Sequence, residues 1–358
     1  MFKYNQKITE LNALVDKYYT GEFDSDEMAN WLAYGYINGM NDRYSDYIPV
    51  EEAEESMDST FYGYNIGLGI QASKHPETGN IYVYAVHQDS PAEIAGIISG
   101  DEITALDEHS VSEIGYNEAL NYIKGVKPGA TISVTVLRNG ETLVLEVELA
   151  RFVSQSVFYK MVGDKGYIQI TTFNEQTVDQ FKTAVDDVVS QGASAIVFDL
   201  RGNGGGTLTS VHHMVDYLVP EGLVVKVDYK VDSNDETYMS DAHEIDLPMV
   251  VLTDGNTASA SELFTQTLID YGKAITVGRN TFGKGVVQRT FTLSDGSLFR
   301  FTVAKYYTAS GICVDGVGIA PTIAVELEPG DAEYRFIDGI EADKDFIAAC
   351  EYLDGQLS

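Results

Sequence analysis

The sequence predicts a multidomain α/β (α+β) protein: a helical start, a compact module of short strands with two small helices, and a core in which strands and helices alternate. Three observations carry that expectation. Apolar residues recur at helical spacing up to about residue 40. The period switches to that of short strands from about Gly63 to Leu149. Beyond residue 152, apolar strand runs take turns with amphipathic helical ones. The length agrees, since 358 residues allow about two to three domains of ordinary size.

Between residues 5 and 40 the apolar positions Ile8, Leu11, Leu14, Val15 and Tyr18, then Met28, Trp31, Leu32 and Tyr36, fall on helical faces. Gly21 and Asp24 separate two helices there. The stretch 41–56 passes through Pro49 into an acidic run and reads as a connector. Strands are expected at 66–73, 80–86, 101–107, 131–138 and 142–149, with helical stretches at 90–96 and 116–124. Gly67, Leu68, Gly69 and Ile70 open the first of these strands. Their N–H groups form the kind of nest that holds a peptide carboxylate while the peptide adds to a sheet edge; a plain strand-entry turn is an equal reading. Later strands at 166–173, 194–202, 248–255 and 274–279 alternate with helices near 176–190, 207–217 and 258–271, and the hairpin-like TFTLSDG and LFRFTVAKYYT follow. Such βαβ units surround a buried sheet and gather their sites on the loops after strand ends.

Hydrophobic residues make up 44% and charged residues 22%, the balance of a chain that buries a sizeable core. The 55 acidic residues against 23 basic ones leave a net charge of -32, which repels phosphate backbones and argues against nucleic acid as a partner. That acidity is spread along the chain, reads as a solvated surface, and specifies no substrate. Cys313 and Cys350 are the only cysteines, too few for a disulfide framework and without metal-ligand spacing. They read as two small apolar residues, with one optional disulfide as the alternative. The amphipathic start has no signal-peptide apolar stretch and no run of 18 apolar residues follows, so the chain as written is expected to be soluble.

Chemistry is expected at three places. The apolar strand PMVVLTDG runs into NTASASELFTQTLID, which puts small hydroxyl residues at a strand-to-helix junction. A nucleophile there has backbone N–H groups and the positive helix end beside it, although read singly the motif is an ordinary helix cap with Glu262 completing it. A serine needs a base. The six histidines (His75, His87, His109, His212, His213 and His243) support no triad, since none follows residue 243 and three belong in or beside the strand module. A desolvated lysine can serve instead. Lys284, in TFGKGVVQ, has flanking glycines and the apolar Phe282, Val286 and Val287 nearby. Holding its amine neutral near pH 7 takes roughly 4 kcal/mol, so a closed, dry pocket is required. Taken singly, Gly-Lys-Gly is more often an exposed hairpin. The third place is DLRGNGGG, a glycine cluster after a buried-looking strand that can present N–H groups to an oxyanion; it lacks the dinucleotide spacing.

Together these segments resemble the carboxy-terminal processing peptidases, or tail-specific proteases. The likeness runs through INGMNDRYSDYIP, GLGI, ALNYIKG, DLRGNGGG, TASASE, TFGKGVVQ, AKYYTASG and GVGIAPTI, in order. It implies a helical region over 1–62, a PDZ-like peptide-binding domain over 63–150, a crotonase-like ββα-type α/β peptidase core over 151–328, and a C-terminal helical segment over 329–358. By position, the family's nucleophile falls on Ser259 rather than Ser261, its lysine base on Lys284, and its lysine-orienting glutamine on Gln288. The oxyanion hole falls on the N–H groups of Ala260 and of Gly205, with Gly206 as the near alternative. The resemblance further implies protein or peptide substrates with apolar C-termini gripped at Gly67–Ile70, gating by the PDZ-like domain, no metal or other cofactor, and action in the cell envelope or outside the cell; a homo-oligomer stays open. Three positions depart from the pattern: Ala309 for proline, Thr322 for aspartate, and Lys124 for arginine. None belongs to the expected dyad. The rival reading is a non-catalytic PDZ-type scaffold, against which the intact Ser, Lys and Gln set counts.

Overall fold

A computed structural model describes residues 3–328, 330–331, 336–337 and 339–357. The chain divides into a smaller unit, up to Glu51 together with Arg289–Thr302, and a larger one, Glu52–Gln288 with the chain from Val303 on.

In the smaller unit two helices, Lys3–Tyr18 and Ser25–Met40, occupy the expected region. The second begins where Asp24 accepts from the Asp26 and Glu27 N–H groups at 2.8 and 3.0 Å, bonds that hold its carboxyl below the usual range. The connector expected at 41–56 instead contains a strand, Asp46–Ile48, and a helix, Val50–Met57. The strand pairs antiparallel with Leu298–Arg300. Glutamate and alanine are good helix formers, and the helix buries Ala53 while exposing Glu51, Glu52, Glu54 and Glu55. Its acidity marks a solvated helical face, not a loop.

The larger unit starts with the module of short strands. Ile70–Lys74, Ile81–Val86, Glu102–Leu106, Thr131–Arg138 and Glu141–Glu148 form one antiparallel sheet in that order. Helices Pro91–Ala95 and Tyr116–Gly125 close a core of Ile81, Val83, Ile103, Leu106, Val134 and Val136. The expected strand 66–73 is broken: Tyr64–Gly67 pairs with Ala150–Val153, and the chain turns at Leu68 and Gly69 before Ile70–Lys74.

The core is a six-stranded sheet in the order Val157–Val162, Lys165–Ile170, Ala195–Asp199, Met249–Thr253, Ala274–Gly278, Ile323–Ala324. Its first pair is antiparallel and the rest are parallel. Every residue of Ala195–Asp199 and Met249–Thr253 is buried, as a parallel sheet covered on both faces requires. Alternation decides the partners. Ile196, Phe198 and Val251 meet Phe181, Met214 and Phe264, which come from the helices Glu175–Ser190, Leu208–Asp216 and Ala260–Asp270. Ala195, Val197 and Val250 meet Phe346, Ala349 and Leu353 of the final helix, Lys344–Leu357. Each buried Val, Leu, Ile, Phe or Met among them contributes about 1.5–3 kcal/mol. The start of the C-terminal segment expected to be helical lies partly outside the described residues.

Among the strands that the sequence does not predict are Val157–Val162 at the edge of the core sheet, and Gly222–Tyr229 and Glu236–Ser240. The latter two belong to a second sheet in which Val225–Tyr229 pairs antiparallel with Thr308–Ala304, the far end of the strand Leu298–Thr308. The alternation in VVKVDY carried that signal.

Candidate active site

Ser259 stands where the strand Met249–Thr253 turns into the helix Ala260–Asp270. Its backbone is in a sparsely populated conformation, φ 57° and ψ -116°, which costs on the order of 1–3 kcal/mol and persists only where the surroundings enforce it. They do. Asp254 Oδ1 accepts from the N–H groups of Asn256 and Gly202, the Thr257 hydroxyl donates to the Leu200 carbonyl, and Ala258 N–H and the Ser261 hydroxyl both donate to the Asn203 carbonyl. The loops after two neighbouring strands are thereby stitched together beneath Ser259. Ser261 is fully buried in this stitching, whereas Ser259 is only half-buried.

Two side chains hold Ser259 and Lys284 as a pair. Glu262, fully buried, accepts through Oε2 from the N–H of Ser259 at 2.9 Å and of Lys284 at 2.8 Å. Its Oε1 accepts from Gly283 N–H at 2.8 Å and from the Thr281 hydroxyl at 2.5 Å. A buried carboxylate is tolerated only with such partners, and here they come from both candidate residues. From the other side the Tyr306 hydroxyl lies 3.1 Å from the carbonyl oxygens of Ser259 and of Lys284. Glu262, expected as a helix cap, thus spans both segments, and Tyr306 was known only as part of AKYYTASG.

The Lys284 amine donates to Gln288 Oε1 at 2.8 Å, so the expected lysine and glutamine lie together. The walls differ from expectation. Val286 is buried, but Lys284 and Val287 are half-buried and Phe282 is 46% exposed. The pocket around the amine is therefore not the closed, dry one that a neutral lysine requires.

The glycine cluster packs directly against the serine turn. A Cβ on Gly205 would come within 2.7 Å of the Ala258 carbonyl oxygen and 2.9 Å of the Ala260 nitrogen, and its φ of 105° suits glycine. The Gly205 N–H donates to Asn203 Oδ1 at 2.8 Å, so in this arrangement it is engaged and not presented to an oxyanion. The Gly205 carbonyl accepts from Phe173 N–H, which turns the Gly206 N–H of the same peptide plane the opposite way. Gly205→Ala is expected to lower kcat/KM by about 10²-fold or more, through displacement of the Ser259 turn; steady-state kinetics beside a melting curve check it.

Behind this loop the Arg201 guanidinium is buried among carboxylates. It contacts Asp199 at 2.6 Å, Asp343 at 2.9 Å and Asp345 at 2.7 Å, and Arg279 also reaches Asp345. Burial disfavours its charge, but attraction to and hydrogen bonding with Asp199, reinforced by Asp343, outweigh burial and hold it well above its ordinary pKa.

At the other candidate site, the Leu68 carbonyl accepts from Ala92 N–H and the Gly69 carbonyl from His87 N–H and the Ser90 hydroxyl. Trans peptide planes then aim the Gly69 and Ile70 N–H groups away from these contacts. Ile70–Lys74 is the terminal strand of its sheet order, and the Tyr116 hydroxyl reaches the Ala72 carbonyl at 3.4 Å, setting the helix Tyr116–Gly125 beside that strand. His87 is buried against Phe152 and Phe158, and burial lowers its pKa to about 4. His75, His212 and His243 contact Glu102, Met239 and Tyr217, away from the Ser259 turn. Cys313 and Cys350 are both free, which sets aside the optional disulfide.

A strand–turn–helix serine beside a glycine loop, on this sheet and preceded in the chain by a six-stranded antiparallel module, is the frame of a serine peptidase. Residues 66–149 match the PDZ domain family and residues 164–325 match peptidase family S41. The chain is 31% identical over 331 residues to the carboxy-terminal processing protease CtpA of Bacillus subtilis, covering 92% of this chain and 69% of that one. It is 33% identical over 315 residues to a carboxy-terminal-processing protease of Bartonella bacilliformis, covering 84% and 71%. A probable CtpA-like serine protease of Staphylococcus aureus is 32% identical over 323 residues, covering 89% of this chain and 64% of that one. The protein therefore belongs to the carboxy-terminal processing protease family of serine peptidases. Its fold is shared by the photosystem II D1 C-terminal processing protease, with a TM-score of 0.54, 23% identity and coverage of 91% and 89%. A putative S41 protease from Bacteroides fragilis shares it with a TM-score of 0.67, 18% identity and coverage of 94% and 93%.

Proposed function

We propose that this protein is an endopeptidase working through a Ser259/Lys284 dyad, which cleaves protein substrates near C-termini presented by its PDZ domain. The observation that carries the reading is the double clasp of Ser259 and Lys284, Glu262 on their N–H groups and Tyr306 on their carbonyls, with the Lys284 amine on Gln288. In the reaction the neutral Lys284 amine takes the Ser259 proton as Oγ attacks the scissile carbonyl. Gln288 Oε1 holds one ammonium hydrogen in place. The tetrahedral oxyanion is received by Ala260 N–H and by Gly205 N–H once Asn203 releases it, or by Gly206 N–H. The ammonium then protonates the leaving amine, and water repeats the cycle on the acyl-enzyme.

The half-open pocket supports a gate. A PDZ-linked closure that covers Phe282 and dries the pocket would favour the neutral amine that a base needs. An apolar C-terminus suits the edge of Ile70–Lys74, where Ile70, Ala72, Leu120 and Ile123 are half-buried hydrophobics. Action in the cell envelope or outside the cell is carried over from the family resemblance alone.

The test is cleavage of an unfolded protein ending in apolar residues, with chelator present. The wild type is expected to cut it, to slow when the C-terminus is amidated, and to yield no product as Ser259→Ala. Undiminished cleavage by Ser259→Ala sinks the dyad. Activity lost on adding chelator points to a metal instead.

A further inference from the structure

Tyr306 is 3% exposed and sits on the strand Leu298–Thr308 opposite Val227. Its own N–H donates to the Gly285 carbonyl at 3.1 Å, and its ring is thereby fixed to the lysine segment at the backbone. We propose that the Tyr306 hydroxyl is a positioning group for the peptidase reaction: it aims the Ala260 N–H at the oxyanion and sets the Lys284 segment against the Ser259 turn. This inference rests on the dyad reading.

The argument is one of peptide planes. The Ser259 carbonyl and the Ala260 N–H belong to one rigid trans peptide, so fixing the oxygen fixes the direction of the N–H. The Tyr306 hydroxyl donates to that oxygen at 3.1 Å and lies equally close to the Lys284 oxygen. One phenolic proton is shared between two acceptors, one from each dyad residue. Glu262 performs the converse service, accepting from both N–H groups. The two side chains therefore bind the nucleophile and base segments as a third strand would bind two neighbours, although the segments are not themselves paired in a sheet. Without the hydroxyl the Ser259 carbonyl keeps the helical donors Glu262 N–H at 2.9 Å and Leu263 N–H at 3.0 Å but loses the one that ties it to the Lys284 segment. An oxyanion donor is worth its share of the rate only when it already points at the developing charge.

Tyr306→Phe removes the donor and keeps the ring. It is expected to lower kcat roughly 10- to 100-fold with KM within about 2-fold of wild type, since ground-state binding does not use the plane. Replacing Tyr306 by p-aminophenylalanine, which returns a donor at the same place, is expected to restore most of the loss. p-Methylphenylalanine fills the hydroxyl's space without a donor and repeats the test should the phenylalanine variant not fold. A donor-free variant with wild-type kcat overturns the proposal. So does a slow, well-folded variant that the amino derivative fails to rescue, because a purely structural loss would follow the melting temperature and not the donor. Ser259→Ala runs in the same assay: if it still turns over, the dyad reading has failed, whereas an inert Ser259→Ala beside a fully active Tyr306→Phe removes Tyr306 alone.

Discussion

Lys284→Met is expected to lose at least about 10³-fold in kcat/KM while melting within a few degrees of wild type. Methionine matches the length of lysine and is tolerated at a half-buried position, but it has no lone pair basic enough to take the serine proton. A positioned general base contributes about 10²–10⁴-fold, and what survives its removal comes from oxyanion stabilisation and binding. The companion Lys284→Arg sharpens the experiment. Arginine can still donate to Gln288 and stay charged, but it does not lose its proton in proteins and so cannot act as the base. Both variants are expected to be inert on the unfolded substrate. An arginine variant within about tenfold of wild type would mean that the site needs a positive charge, not a proton acceptor.

The largest effect on stability is expected from Arg201→Met. It strands Asp199, Asp343 and Asp345 in a buried place with one cation removed, leaving Arg279 in contact with Asp345 alone. Breaking a buried charge cluster by removing one partner costs about 3–5 kcal/mol, because the remaining charges keep their desolvation penalty and lose their compensation. For a unit of this size that corresponds to a fall in Tm on the order of 10 °C. Urea unfolding should show a lower midpoint at an unchanged slope. Activity should fall as well, since Arg201 lies in the loop that carries Gly205. A variant of wild-type stability would show that the cluster is neutralised in some other way.

The periodicity of the chain disclosed its layers because buried strands and amphipathic helices leave different spacings of apolar residues. The ranges around Ser259 came through for the same reason: an all-apolar strand followed by TASASE leaves little choice but a turn at a strand end. The clasp around Ser259 and Lys284 did not come through. Glu262 bonds to Lys284 from 22 residues away and Tyr306 to Ser259 from 47, and spacing along the chain says nothing about such partners. The pairing that delivers Tyr306 depends on the register of Val227, on a strand absent from the reading of the sequence. Phe282 misled for a simpler reason. An aromatic residue beside a glycine reads as a wall, but how far it is covered is set by the turn, and here nearly half of it stays exposed.

The reach of Arg201 has a bearing on synthesis. Its carboxylate partners Asp343 and Asp345 lie 142 and 144 residues further along the chain, at the head of the last helix. A ribosome that has already released the serine, the lysine and the glycine loop still holds the residues that neutralise the guanidinium beneath that loop. Until they emerge, Asp199 is the counter-charge at hand among the described residues, and the second face of the core sheet lacks the helix Lys344–Leu357 as cover. The order of translation therefore makes the loop that carries Gly205 one of the later parts of this core to gain its full set of counter-charges.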